Sequence, residues 1–346
     1  MRDSEEIGKA VHAAVEAAVW APSVHNTQPW SFVVSGEEIS VRADTGRRLP
    51  VEDPAGREML ISCGAALFNV RLALRGLGHE PVVRLLPDPD RPVLLALVRP
   101  GGAVQPDEHT RLLHAQIERR RTHRGDFTGE PLPDRFVEAV CREAAAEGVR
   151  LTPVRSGPAV RALAAVTRAA QEVQSQDSGF SLEVLRWSRS PESRRRDGVP
   201  ADAYPRSSAQ DGDSGLFPGD GSLFARRDYA RGRPWGYERA WDRERAQDRP
   251  EAGPPELVAV LTTAGDERED WLRAGQGLQR ALLFASAYGV RAAFHTQALE
   301  LYHLREFVRH GLCSGEHPQM IMRMGLTEEE AGTVRRPLEE MLDERP

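Results

Sequence analysis

Two short stretches of this 346-residue chain crowd hydrogen-bonding and charged side chains together. The first is Ala21-Pro22-Ser23-Val24-His25-Asn26-Thr27-Gln28-Pro29-Trp30. Its prolines mark the end of one element and the start of the next. Between them, Ser23, His25, Asn26, Thr27 and Gln28 offer donors and acceptors suited to the edge of a planar heterocycle. The same side chains could instead cap their own turn. The second stretch is Glu118-Arg119-Arg120-Arg121-Thr122-His123-Arg124-Gly125-Asp126-Phe127. Several guanidiniums and a hydroxyl at a helix end suit a dianionic phosphate, held by charge-assisted and partly bidentate hydrogen bonds. The plainer alternative is a solvated basic helix end. Nucleic-acid binding is a third reading, opposed by a net charge of −6 and by the acids flanking the run.

These stretches need elements to position them. Val11, Val15, Ala18 and Val19 lie on one face of a helix expected from about Lys9 to Trp20, ahead of the first stretch. Alternating segments follow at Ser31 to Ser35 and Ile39 to Ala43. Cys63, Leu67, Val70, Leu74 and Leu77 then form one stripe of a second helix that stops at Gly78. Pro81 to Leu86 and Val93 to Val98 read as strands. Further on, the pattern predicts a helix from Pro133 to Ala146, a strand from Arg150 to Val154, and helices over Pro158 to Gln176 and Phe180 to Trp187.

The order then recurs. Gly64 and Gly78 bracket the second helix with the same separation as Gly275 and Gly289, and Leu67 falls on Leu278. Each of these helices precedes a short strand and a later apolar strand, Pro92 to Gly101 in one case and Pro318 to Gly325 in the other. An internal duplication is the expectation. Four parts follow: residues 1–108, 109–187, an insertion at 188–255, and 256–346. The insertion has 8 Gly and 8 Pro in 68 residues, which alone reads as a linker. However, Phe217, Phe224, Tyr229, Trp235, Tyr237 and Trp241 point to an ordered excursion packed over something.

Composition excludes several classes. With 40% apolar and 28% charged residues the chain reads as globular, and no run approaches the roughly 20 uninterrupted apolar residues of a membrane span. The first residues carry acids where a signal peptide would be basic, so the expected location is the cytoplasm. Three scattered cysteines give no metal-ligand pair. Of 46 basic residues only Lys9 is a lysine, leaving 45 arginines among which the functional ones must be found. Gly275-Gln276-Gly277 begins like a dinucleotide fingerprint, but it lies inside a predicted helix and Arg280 stands where the third glycine belongs.

Together these residues resemble the FMN-dependent nitroreductase family, and within it the two-repeat, single-chain Acg-like branch. Arg120-Arg121-Thr122-His123-Arg124 with Phe127 resembles the family's Arg-Arg-Ser-x-Arg-x-Phe phosphate element, with Thr for Ser and one extra residue before Phe. Residues Ala21 to Trp30 resemble its Ala-Pro-Ser-Ser-x-Asn-x-Gln-Pro-Trp element, which meets the flavin from the partner subunit. Arg335-Arg336-Pro337-Leu338 resembles its C-terminal basic grip. The resemblance implies an α+β nitroreductase-like fold, two repeats fused as a pseudo-dimer, and a long lid-like insertion. It also implies FMN contacts from Pro22, Ser23, Val24, Asn26 and Gln28, from Arg120, Arg121, Thr122 and Arg124, from Thr296 and Gln297 after the second long helix, and from Arg335 and Arg336.

Each flavin element occurs once, so one FMN per chain is expected, in a protein made monomeric by its fused repeats. The implied activity is transfer of hydride from transient NAD(P)H, through flavin N5, to a small electron-poor acceptor such as a nitroaromatic or quinone. No side chain is required as acid or base, because the flavin carries the redox chemistry. The competing expectation is a flavin-sequestering protein whose insertion covers the cofactor.

Overall fold

The structure is a computed structural model, and it describes residues 2–124, 127–190, 192–200, 256–328 and 332–345. It is an α+β fold built on two antiparallel four-stranded units. The first contains helix α1 (Arg2–Ala18), strands β1 (Trp30–Ser35) and β2 (Glu38–Ala43), helix α2 (Arg57–Gly76), and strands β3 (His79–Leu85) and β4 (Leu94–Ala103). Helix α3 (Glu108–His114) links it to α4 (Asp134–Ala145), β5 (Arg150–Pro153), α5 (Gly157–Ser175) and α6 (Ser178–Trp187). The two-residue strands β6 (Ser188–Arg189) and β7 (Val199–Pro200) pair in parallel. The second unit is completed by β8 (Leu257–Thr263), α7 (Arg268–Ala287), β9 (Val290–Phe294), α8 (Gln297–Glu300), α9 (Tyr302–Leu312) and β10 (His317–Leu326). Strand β11 (Leu342–Arg345) follows.

The strand order is β1-β2-β4-β3 in the first unit and β5-β8-β10-β9 in the second, so both units share one connectivity. β11 then adds to the free edge of β1 in parallel, with Phe32 opposite Leu342, so the end of the second unit completes the sheet of the first. Residues 201–255, including the aromatic run from Phe217 to Trp241, lie outside the described residues, as do Gly125 and Asp126.

The elements expected from the apolar pattern form where it places them, with differences at their ends, and others such as β8 and β11 join them. α1 begins well before Lys9, because Glu5 and Glu6 extend it with acids that suit a helix N-terminus. α2 is long and apolar enough to cross a membrane, yet most of it is buried: Leu67, Val70 and Leu74 face the core of the first unit, while Ile61, Phe68 and Leu72 face that of the second. β8 is buried at every position, so it shows no alternation in sequence, as expected of a strand covered on both faces. α5, α8 and α9 cover its outer face through Val160, Leu163, Ala298 and Val308.

α2 and α7 pack at the centre through a close backbone approach. A Cβ on Gly64 would lie 2.2 Å from the Leu272 carbonyl oxygen, and one on Gly275 would lie 1.9 Å from that of Ile61. The offset that carries Gly64 to Gly275 also carries Ile61 to Leu272, so the two contacts are reciprocal. Gly275 and Gly277 therefore serve helix packing, as expected from their place inside a helix.

Candidate functional site

The loop between α1 and β1 holds a costly backbone. His25, Asn26 and Gln28 have φ of 44°, 54° and 51°, in the left-handed region that non-glycine residues seldom occupy. Such conformations persist where their surroundings over-determine them. Here Ser23 Oγ accepts from the Gln28 N–H at 3.0 Å, the Val24 N–H donates to Ser62 Oγ of α2 at 3.4 Å, and Thr27 Oγ1 donates to the Val24 carbonyl at 2.9 Å. The Asn26 amide donates to the carbonyls of Gly198 (3.1 Å) and Val334 (3.3 Å), and its Oδ1 accepts from Arg335 Nη1 at 3.1 Å. Gln28 donates through Nε2 to the Arg196 carbonyl at 2.9 Å, and its Oε1 accepts from the Arg336 N–H at 2.8 Å. The loop thus ties together two segments distant in sequence.

The arginine stretch is pinned to the edge of the second sheet. Thr122 bridges Ala292 of β9 in parallel, and the His123 N–H donates to the Ala292 carbonyl at 2.8 Å. Arg120 is 3% exposed; its Nη2 donates to the Trp20 carbonyl at 3.3 Å, while Nε and Nη1 have no hydrogen-bond partner among the described residues. Arg335, also buried, donates to that same carbonyl at 3.2 Å and to the Ala21 carbonyl at 3.0 Å, and its Nε likewise has no partner among the described residues. The guanidiniums of Arg121 and Arg335 sit 5.2 and 5.8 Å from the centre of the Trp20 ring. Burial, and then the charges of Arg121, Arg291 and Arg124, push Arg120 down to about 9. Burial, and then Arg120, Arg121 and Arg124, hold Arg335 well below its ordinary value. A set of like charges is therefore confined with orphaned donors, which is the electrostatics of an anion site.

Beside this cluster opens a cleft that is partly continuous with solvent. It brings together Pro22, Ser23 and Val24, Thr122 and Arg124, and Thr296 and Gln297, all expected at the site from sequence. Gln297 Oε1 is buried with no hydrogen-bond partner among the described residues. Asn26 and Gln28, expected beside a flavin ring, do not line the cleft, because the 196–198 and 334–336 segments engage their amides. Arg124 lines the cleft, while Arg120, Arg121 and Arg335 do not and gather instead around Trp20, close enough to Arg124 for the charges to act on one another. Arg336 is engaged by the protein as well. Its guanidinium bonds the Glu340 carboxylate at 3.1 Å and the Glu340 carbonyl at 3.0 Å, with Asp44 at 3.8 Å, so its charge is already answered.

The sequence reading missed a second cluster on the same cleft. Glu52, Glu58 and Glu300 each bring a carboxyl oxygen within 4.8 Å of the others, and His25 Nε2 lies 2.6 Å from Glu52 Oε2. Burial, and then Glu58, Glu183 and Asp53, raise Glu52 well above the usual carboxyl range. Burial, and then Glu52 and Glu58, do the same to Glu300. Burial also raises Glu58, against the pull of Arg57 at 2.7 Å. His25 is lowered by burial. The group keeps protons at pH values where exposed carboxyls have lost them. No local motif marks it, because Glu300 comes from the far end of the chain.

Against characterised protein families, no family model matches the chain. It is 31% identical over 318 residues to the Mycobacterium tuberculosis protein Rv3131, which bears the name of an NAD(P)H nitroreductase; the match spans 92% of this chain and 85% of that one. The chain belongs to the nitroreductase family. This nitroreductase-family chain is also 29% identical over 349 residues to Acg of the same organism, which bears a like name, across 100% of this chain and 98% of the relative. Among solved structures, a nitroreductase with bound FMN from Desulfitobacterium hafniense superposes with a TM-score of 0.37 and 13% identity, covering 68% of this chain and 96% of that one.

Proposed function

We propose that this nitroreductase-family protein is an FMN-dependent oxidoreductase that takes hydride from NAD(P)H and passes it to an electron-poor acceptor, a nitroaromatic or a quinone. The observation that carries this reading is the arginine cluster, in which buried nitrogens of Arg120 and Arg335 have no hydrogen-bond partner among the described residues, next to Arg124 on a cleft lined from both units. A phosphate dianion answers that charge, with a bidentate pair of N–H groups from Arg120 (Nε and Nη1), a single one from Arg335 Nε and a hydroxyl from Thr122. The donor set therefore fits FMN. When bound, FMN supplies two-electron hydride chemistry at N5.

The chain's own residues do the rest. Arg120, Arg121, Arg124 and Arg335 bind the phosphate, and Pro22, Ser23 and Val24 hold one border of the ring space through their strained loop. Thr296 and Gln297 hold another border, where Gln297 Oε1 is an acceptor without a donor among the described residues. The cleft is lined from both units, each flavin element occurs once, and the two units share one connectivity. These features support a fused pseudo-dimer with one FMN per chain. Internal pairing of β11 with β1 supports a monomer.

An anaerobic absorption spectrum of the purified protein, before and after NADPH or NADH, tests the reading. We expect about one flavin per chain, bleached by a nicotinamide. Protein that binds no flavin overturns the assignment, and a ratio near two overturns the pseudo-dimer. A flavin that stays oxidised turns the reading to sequestration.

A further inference from the structure

We propose that Asn26 is a positioning residue for the anion cluster, aiming Arg335 at the phosphate rather than touching the flavin ring. The inference rests on the phosphate reading given above. The Asn26 amide is oriented by its surroundings: Nδ2 faces two carbonyl oxygens, those of Gly198 and Val334, so Oδ1 must face Arg335 Nη1. Turned the other way, the amide would set two carbonyls against its own oxygen and its N–H groups against a guanidinium. Arg335 needs such a restraint, because Arg120, Arg121 and Arg124 all repel it and its remaining bonds go to the neutral carbonyls of Trp20, Ala21 and Val334.

The acceptor side of this restraint is itself held fast. Gly198 has φ of 74°, and a Cβ there would lie 2.4 Å from the Trp187 carbonyl oxygen, so this turn requires glycine. Asp197 beside it accepts from Arg189 (2.7 and 3.0 Å), Arg195 (2.9 and 3.0 Å) and Arg47 (3.0 Å), and Arg47 Nη1 also donates to the Thr27 carbonyl at 2.8 Å. Residues 196–198 thus form a rigid abutment, and Asn26 carries its position to Arg335. The left-handed φ of Asn26 belongs to the same arrangement, since it aims the amide at both segments.

The test compares FMN with riboflavin, which has the same ring and no phosphate, in fluorescence titrations of the apoprotein. For Asn26→Ala we expect FMN affinity to fall about 10-fold with riboflavin affinity changed less than about 2-fold. Asn26→Asp, nearly isosteric, places a carboxylate against Arg335 and should weaken FMN about 100-fold with riboflavin again spared. Equal losses for both flavins, or no loss for either, overturn the proposal. Retained riboflavin binding shows that a variant is folded. Inorganic phosphate gives a readout independent of flavin: it should raise the melting temperature of the wild type and leave that of Asn26→Asp nearly unchanged. A wild type that binds no flavin but keeps this phosphate difference sinks the oxidoreductase reading and upholds the role of Asn26. A wild type unresponsive to phosphate overturns the positioning role too.

Discussion

The two charged clusters of the cleft meet the same problem in opposite ways. Arg120, Arg121, Arg124 and Arg335 confine like charges in one; Glu52, Glu58 and Glu300 do in the other. A carboxyl relieves the repulsion by keeping its proton, and burial with mutual repulsion shifts all three in that direction. A guanidinium has no such escape near neutral pH, since it holds its proton over the whole physiological range. An anion drawn in from outside is the relief that the phosphate reading supplies to the arginines. The same physics thus lets one cluster relieve itself by protonation and gives the other an attraction for anions.

The strongest way to break this contrast is Arg120→Met, which keeps much of the side-chain volume and removes one trapped charge. FMN affinity should drop by about 10- to 100-fold, as expected for a lost charge-assisted bond, while the apoprotein melts at a higher temperature than wild type. Unchanged FMN affinity, or an apoprotein that melts lower, would show that the cluster is not a strained anion site.

The carboxyl cluster is sharpened by Glu300→Gln. A carboxyl whose folded value is raised binds its proton more tightly folded than unfolded, so its contribution to stability falls as pH rises above the ordinary 4.5 and levels off once the folded value is passed. His25 and His295, both lowered, act the other way, adding stability as pH rises toward 6.5. Comparing the variant with wild type reports Glu300 together with its repulsion of Glu52 and Glu58. The variant's melting temperature should gain on wild type as pH climbs from 4.5, by on the order of 2 °C. A difference between the two that is flat with pH would refute the proton-keeping account.

The smallest effect is expected at Arg336. Its charge is answered by Glu340 and Asp44, so Arg336→Ala should change FMN affinity less than about 2-fold in the same titration. A tenfold loss would extend the anion cluster to this residue.

How legible this was depended on distance along the chain. The arginine stretch could be read because its members are adjacent and share one chemistry, and α2 and α7 could be read from apolar stripes at helical spacing. Asn26 and Gln28 could be read as site residues from their motif, but their bonds to distant segments could not. Their partners at 196–198 and 334–336 lie far away, and residue type alone does not say which way an amide turns. Glu52, Glu58 and Glu300 were invisible for the same reason. β8 lacks the alternation of a half-exposed strand, and β11, with four residues, is too short to carry a period.

The reciprocal glycines of α2 and α7 bear on the cleft in a further respect. α2 carries Glu58, Ser62 and Ala65 on the cleft lining, and α7 carries Leu278 there. Because main chain meets main chain at Gly64 and Gly275, the spacing of these helices is set by backbone, as a gauge block sets a gap. Side-chain substitutions along the cleft would change its chemistry while leaving its width alone. A methyl group at either glycine would do the reverse, wedging the two units apart and detuning both charged clusters at once.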